Sequence, residues 1–248
     1  MKKVSSFILI LVVFSLVFSL VSCSNDSGKD VVNIQSDVPV SSEEISSEIS
    51  SEETSSQEVV DKDEWYLILL NPWNELPDDF EVELEKFAGK NMDKRIVPIV
   101  AQMFEDAEND GIDLIIASAH RSIEKQTQNF QNQIQTYKNL GYSDEDAYNE
   151  AKQWVAVPGT SEHHTGLALD IVTPSYQVLD HNYDKTDAFK WLYENCADYG
   201  FILRYPENTT HITGIVYEPW HYRYVGVEVA KYIMQKNITF EEYLEEIS

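Results

Sequence analysis

The chain has 248 residues, 43 of them acidic against 18 Lys and Arg, for a formal net charge of -25. That balance excludes nucleic acid as a partner, because neutralising phosphates takes clustered Lys and Arg. Aromatic residues make up 12% of the chain and cysteines number only two, so there is material for a core but no disulfide framework.

Lys2 and Lys3 precede an uncharged apolar run from Phe7 to Val21. The run is shorter than the roughly 20 residues a membrane span needs and reads as a secretory leader over residues 1–22. Leu20-Val21-Ser22-Cys23 places small residues before a cysteine and resembles the lipobox of bacterial lipoproteins. The resemblance implies that cleavage leaves Cys23 as an acylated N-terminus, tethering an extracytoplasmic protein to the membrane without spanning it. Residues 23–62 are rich in Ser, Glu and Asp and repeat Ser-Ser-Glu between Ser41 and Ser56. Such a segment buries too little apolar surface to offset chain entropy, and the spacing predicts a disordered linker reaching on the order of 100 Å. Residues 63–248 have the composition and length of one globular domain.

Within that domain, Ile96 to Phe104 begins an amphipathic helix that fades at Asn109-Asp110-Gly111. Leu114 to Ala117 is a short apolar run expected to form a buried strand, delivering Ser118-Ala119-His120-Arg121-Ser122 at its end. A polar helix from Ile123 to about Asn139 and a second one, capped by Ser143 and running to about Val155, come next. Leu167, Leu169 and Ile171 alternate with Ala168, Asp170 and Val172, which gives a strand carrying Asp170 on the Ala168 face. A helix from Asp187 to Gly200, a strand over 201–205, a strand-like stretch over 215–225 and two closing helical segments complete the pattern. Helices early and late around scattered strands indicate an α+β fold with a mainly antiparallel sheet flanked by helices.

Two polar intrusions carry the chemistry. Asp170 sits in Leu-Ala-Leu-Asp-Ile-Val, where an unpaired carboxylate would be heavily desolvated, and a metal or other cation is the natural remedy. Glu218 and His221 flank Pro219-Trp220 in a second apolar, aromatic stretch. His163 and His164 are adjacent, so in an extended chain they point to opposite sides and only one faces an ion. His163 lies seven residues before Asp170, a spacing that lets a loop residue and a strand residue converge. Two imidazoles, one carboxylate ligand and a further carboxylate beside them match what a catalytic zinc site requires. Cys196, in a helical segment, is expected to be a buried structural thiol.

The pattern Ser161-x-His163-x-x-Gly166-x-Ala168-x-Asp170 with Glu218-x-Trp220-His221 resembles the signature of the VanY-like zinc D-alanyl-D-alanine carboxypeptidases. Leu70 to Pro77, Ser118 to Ser122, Tyr199 to Pro206 and Glu218 to Gly226 extend the likeness over most of the domain. Ala119-His120 stands where the family more often has Gly-Tyr. The resemblance implies a hedgehog-like D,D-peptidase fold with Zn2+ held by His163, Asp170 and His221. It also implies Glu218 as general base and Arg121 as the oxyanion-stabilising arginine. Gln126 and Ser161 are the expected contacts to the terminal carboxylate of a peptidoglycan stem. His120 and His164 are expected to be structural, and His181 and His211 to lie in loops. The expected protein is a monomer that removes terminal D-Ala. Alternatives are an L,D-carboxypeptidase, a D,D-dipeptidase or an endopeptidase on the same polymer, and a lipoprotein that binds muropeptides without cleaving them.

Overall fold

The computed structural model describes residues 63–248; the leader, Cys23 and the linker lie outside the described residues. The first ordered pair is a hairpin that the sequence pattern does not announce, β1 (Leu84–Phe87) with β2 (Lys90–Asp93). Its two turn residues, Ala88 and Gly89, sit at φ 47° and 81°. Two consecutive positive φ angles give a tight turn matched to the strand twist, usually signalled by Asn-Gly rather than Ala-Gly.

Helix α1 (Val97–Asn109) has a proline in its first turn and buries Val100, Met103 and Ala107 along one stripe. Strand β3 (Ile115–Ser118) is set one residue later than its apolar run. Helix α2 (Ile123–Asn139) is capped by Ser122, whose hydroxyl accepts from Lys125 N at 3.2 Å. Helix α3 (Asp144–Trp154) starts at Ser143 in the same way and packs on α2, with Phe130 and Tyr148 edge to face at 5.4 Å.

Strand β4 (Ala168–Val172), strand β5 (Phe201–Leu203) and strand β6 (His221–Tyr224) join β3 in one antiparallel sheet of order β3-β4-β6-β5. The α+β expectation holds. Between β4 and β5, the expected helix over 187–200 is two pieces: α4 (Asp187–Asn195) and a 3₁₀ turn, Cys196–Tyr199, ending at Gly200. The strand-like stretch over 215–225 narrows to β6. Pro219 has no N–H for a ladder, and His221 N donates to Glu218 O at 3.2 Å, closing a turn just before the strand. A four-residue helix, α5 (Thr210–Thr213), contains His211, which is therefore not a loop residue. Helix α6 (Val227–Lys236) and helix α7 (Phe240–Glu246), the latter with the capping box Thr239/Glu242, close the domain.

Leu169 and Ile171 face a core shared with Met103 of α1, Leu192 of α4, Phe201 and Tyr222. Cys196 is buried in that core, and burial pushes its thiol up to about 12, the state of an inert structural cysteine. Asp170 and Val172 lie on the other face of β4, where Val172 packs with Tyr183 and Trp220. Sheet register then does the positioning. Ser118 pairs with Asp170, and Asp170 pairs with His221, so three neighbouring strands bring these residues into one row.

Candidate metal centre

His163 and His164 lie in a 3₁₀ turn, Glu162–Thr165, and not in extended chain. Gly166 ends that turn at φ 74°, and a Cβ there would stand 2.7 Å from Asp93 N. Both the backbone conformation and the space therefore demand glycine at this motif position. The adjacent loop is pinned to the turn by Arg121 N donating to His163 O at 3.0 Å and Asp93 N donating to Gly166 O at 3.0 Å.

His163 Nδ1 faces Ala119 O at 2.8 Å, and its Nε2 lies 3.3 Å from Asp170 Oδ2. Nδ1–H donates to the carbonyl, which leaves the lone pair of Nε2 free to bind a cation beside Asp170. Because the main chain of Ala119 makes this contact, the Ala119-His120 departure from the family pattern does not disturb it. His221 Nδ1 lies 3.2 Å from Asp170 Oδ1 and 3.5 Å from Glu218 Oε2, while His221 Nε2 faces Glu162 Oε2 at 3.5 Å. Ligating atoms of His163, Asp170 and His221 all lie within 4.8 Å of one another, and all three residues are buried. Asp170 Oδ1 has no hydrogen-bond partner, an orphaned oxygen at the focus of two imidazoles. Two imidazole nitrogens and one carboxylate, each ring with a partner on its far side, fit zinc in chemistry and in number.

His164 is not part of this set. Its Nδ1 is 2.7 Å from Arg121 O, and its Nε2 accepts from Gly159 N at 3.2 Å, so both ring nitrogens are occupied. The expectation for His164 stands, but the reason is hydrogen bonding rather than extended geometry. His120 is half-buried, and its main chain donates to Asn91 O. His181 belongs to a 3₁₀ turn, His181–Lys185, and stacks on Trp154 with centroids 5.5 Å apart.

Burial drives the electrostatics. It pushes the His163 imidazole down to about 4, with Arg121 adding to the effect against Asp170. Burial opposes charge on His221 too, but the adjacent Asp170 and Glu162 carboxylates outweigh it and raise this imidazole to about 9. Glu218 is raised to about 8, first by burial and then by Asp170 and Glu162. A carboxyl poised near neutrality beside a ligand histidine suits a group that takes and returns protons. Asp170 is held well below the usual carboxylate range: burial opposes this, and His163 and His221 overcome it.

Arg121 donates through Nη2 to Ser118 Oγ at 2.8 Å and through Nη1 to Gln126 Oε1 at 2.7 Å, and Nη2 stands 3.6 Å from Asp170 Oδ2. Gln126 is fully buried and also donates to Ala156 O at 2.6 Å, so it holds the guanidinium in place. Arg121, Gln126, Ser161 and Glu218 line one cleft of about 440 Å³ that opens from the metal ligands. All the expected site residues of the domain therefore meet in one place.

One participant was not expected. Glu162 is buried, and its Oε1 accepts from Arg204 Nε at 2.7 Å and Arg223 Nη1 at 2.8 Å. Arg204 also forms a two-toothed pair with Glu241, at 2.8 and 2.7 Å. The arginines claim one oxygen of Glu162 and leave the other facing His221. A signal existed: Arg204 directly follows the apolar strand β5 and Arg223 stands within the buried strand β6, the same anomaly that marks Asp170.

The family model for VanY, D-alanyl-D-alanine carboxypeptidase, matches residues 89–227. A D-alanyl-D-alanine carboxypeptidase of Enterococcus faecalis (strain ATCC 700802 / V583) is 43% identical over 190 residues, which are 76% of this chain and 69% of that protein. The chain belongs to the VanY D-alanyl-D-alanine carboxypeptidase family. Solved VanY-family structures agree with the fold. VanYB in complex with D-alanine-D-alanine superposes with a TM-score of 0.68 at 44% identity, covering 73% of this chain and 98% of that one. A mutant VanY D,D-pentapeptidase from a VanB-type resistance cassette, in complex with Zn(II), gives 0.67 at 43% identity over 73% and 99%. His163, Asp170 and His221 form the candidate metal site of this VanY-family domain.

Proposed function

We propose that this protein is a zinc-dependent D-alanyl-D-alanine carboxypeptidase that hydrolyses the terminal D-Ala from peptidoglycan stem peptides or their precursors. The observation that carries the reading is Glu218 Oε2 standing 3.5 Å from the ligand nitrogen of His221, in the cleft that also exposes Arg121. Zinc among His163, Asp170 and His221 would supply a Lewis acid that acidifies water and polarises the scissile carbonyl. Glu218 takes the proton from the attacking water and passes it to the departing D-Ala amine as the C–N bond breaks. Arg121, fixed by Ser118 and Gln126, presents a guanidinium to the oxygen on which negative charge develops. Ser161 and the remaining amide hydrogen of Gln126 receive the terminal carboxylate.

The leader and Leu20-Val21-Ser22-Cys23 support an extracytoplasmic lipoprotein, acylated at Cys23 and acting as a monomer on a polymer outside the membrane plane. Cys23→Ser should then leave the membrane fraction. A mutant that stays membrane-bound with its leader uncleaved would contradict the anchor.

The activity is tested by mass spectrometry of synthetic pentapeptide and tetrapeptide stems incubated with the zinc-loaded protein. The pentapeptide should lose one alanine and the tetrapeptide should persist. Shortening of the tetrapeptide alone would assign an L,D cut, and binding of either stem without cleavage would make the protein a receptor.

A further inference from the structure

Whatever sets the orientation of Glu162 also sets the far side of His221. Glu162 Oε2 and His221 Nε2 face each other at 3.5 Å, both atoms are buried, and among the described residues neither has a hydrogen-bond partner. An arginine meets a carboxylate most favourably through two parallel N–H groups, one on each oxygen. Two arginines stand against Glu162, at 2.7 and 2.8 Å, yet each spends a single nitrogen on the same oxygen, Oε1. The other partners of the two guanidinium groups show how Oε2 is spared. Arg223 is held by main chain: its Nε donates to Tyr224 O at 3.0 Å, and its Nη2 to the carbonyls of Tyr66 and Ile68 at 2.9 and 2.7 Å. Arg204 is held by a side chain, with Nη1 and Nη2 both on Glu241 at 2.8 and 2.7 Å. Glu241 sits in the first turn of α7, is buried, and accepts from Asn71 Nδ2 at 3.1 Å on its outer side. Among the described residues its hydrogen bonds go to Arg204 and Asn71 and not to a metal ligand.

We propose that Glu241 is a positioning residue for the metal centre: by fixing the plane of the Arg204 guanidinium, it keeps Glu162 Oε2 free to hold His221. The inference rests on the zinc site of the carboxypeptidase reading and extends it to the C-terminal helix. A ligating imidazole is oriented by the partner on its other nitrogen, and for His221 that partner is Glu162 Oε2. If Glu241 loses its charge, Arg204 is left with one buried counter-charge, Glu162. Its guanidinium then turns to the two-toothed pair, takes Oε2 from His221, and leaves Nε2 without an acceptor. Arg223 cannot compete in the same way, because three carbonyls hold it. The metal site is thereby tied to α7 through a chain of three side chains, Glu241 to Arg204 to Glu162, each link at hydrogen-bond distance.

The test is chelator competition for zinc, run well below the melting midpoint of every variant, so that a loss of global stability leaves the affinity of the folded protein unaltered. Glu241→Gln keeps the shape of the side chain and removes its charge, and its zinc affinity should fall about tenfold. Removing the competing guanidinium as well, in Arg204→Met, Glu241→Gln, leaves Glu162 and Arg223 as a balanced pair and should restore affinity to within about threefold of the parent. Asn71→Ala takes a hydrogen bond from Glu241 without touching Arg204; it should lower the melting midpoint and keep zinc affinity within about twofold. In nitrogen-15 spectra of the zinc-loaded, histidine-labelled protein, Glu241→Gln should shift the His221 Nε2 signal and leave that of His163 in place. Parental affinity in Glu241→Gln overturns the assignment. So does a double variant that binds no better than Glu241→Gln, or an equal loss in Asn71→Ala, since either makes the cluster a general brace. Should Glu241→Gln fail to fold, Glu241→Asp carries the test: it stays charged but is one methylene too short for the two-toothed pair, so affinity should fall about threefold, and no fall overturns the assignment. A parent that holds no zinc means that the metal reading itself has failed, and the assignment falls with it.

Discussion

Two buried charge clusters meet at His221, and they are built on opposite plans. In the Glu162–Arg204–Arg223–Glu241 cluster two cations face two anions and nearly every donor is spent: Arg223 donates its remaining N–H groups to the carbonyls of Tyr66, Ile68 and Tyr224, and Asn71 donates to Glu241. In the His163–Asp170–His221–Glu218 cluster, acceptors converge on a space that no protein donor fills, and Asp170 Oδ1 is left without a hydrogen bond. A closed cluster settles its own charges and fixes backbone. An open one is incomplete until a cation and a substrate arrive. Glu162 belongs to both, with Oε1 in the closed cluster and Oε2 turned toward the open one.

Breaking the open cluster should have the largest effect. Asp170→Ala removes the ligand between both imidazoles, so the purified protein should lose its single zinc and all detectable turnover while remaining folded. Elemental analysis that still finds one zinc per chain would refute the ligand set. Next comes the shared residue. Glu162→Ala leaves Arg204 and Arg223 short of a buried counter-charge, which costs about 3–5 kcal/mol of stability. It also frees the far side of His221, and zinc affinity should fall by a factor of about 10–100. A urea melt and chelator competition read the two losses separately. A variant as stable as the parent would mean that the closed cluster is not the brace its geometry indicates.

Much of this was legible in the chain. Asp170 betrayed itself as a carboxylate in an apolar strand, and the row that joins it to Ser118 and His221 follows once β3, β4 and β6 are neighbours. Glu162 was passed over because it stands between Ser161 and His163 at a place the motif leaves unspecified, and its partners are 42 and 61 residues away. The β1–β2 hairpin was unreadable for a local reason, since its positive-φ turn is built on Ala88 in place of Asn or Asp. The split of the 187–200 helix into α4 and a 3₁₀ turn leaves no mark in composition. The exclusion of His164 was right in outcome, but the actual cause, hydrogen bonds to Arg121 O and from Gly159 N, exists only in the folded turn.

Smaller effects sharpen the contrast. Arg121 is clamped by Ser118 and Gln126 yet remains 17% exposed to the cleft, so it is placed to act on substrate. Arg121→Lys should lower kcat more than it raises KM, by up to about 3–4 kcal/mol in transition-state stabilisation. A rise in KM alone would reassign Arg121 to holding the terminal carboxylate. His164→Ala should change zinc affinity least of all, because both ring nitrogens already serve the backbone. Loss of metal in that variant would place His164 in the open cluster after all.

The central claim is that Glu218 works on protons and does not hold the metal. It stands beside His221, buried, with its carboxyl raised to about 8 by that burial and by the neighbouring Asp170 and Glu162. The most direct measurement is the rate of D-Ala release from a pentapeptide stem by Glu218→Gln loaded with one zinc per chain. The account predicts full zinc occupancy with a rate lower by a factor of about 10² or more. A fully loaded variant that releases D-Ala at nearly the parent rate would contradict it.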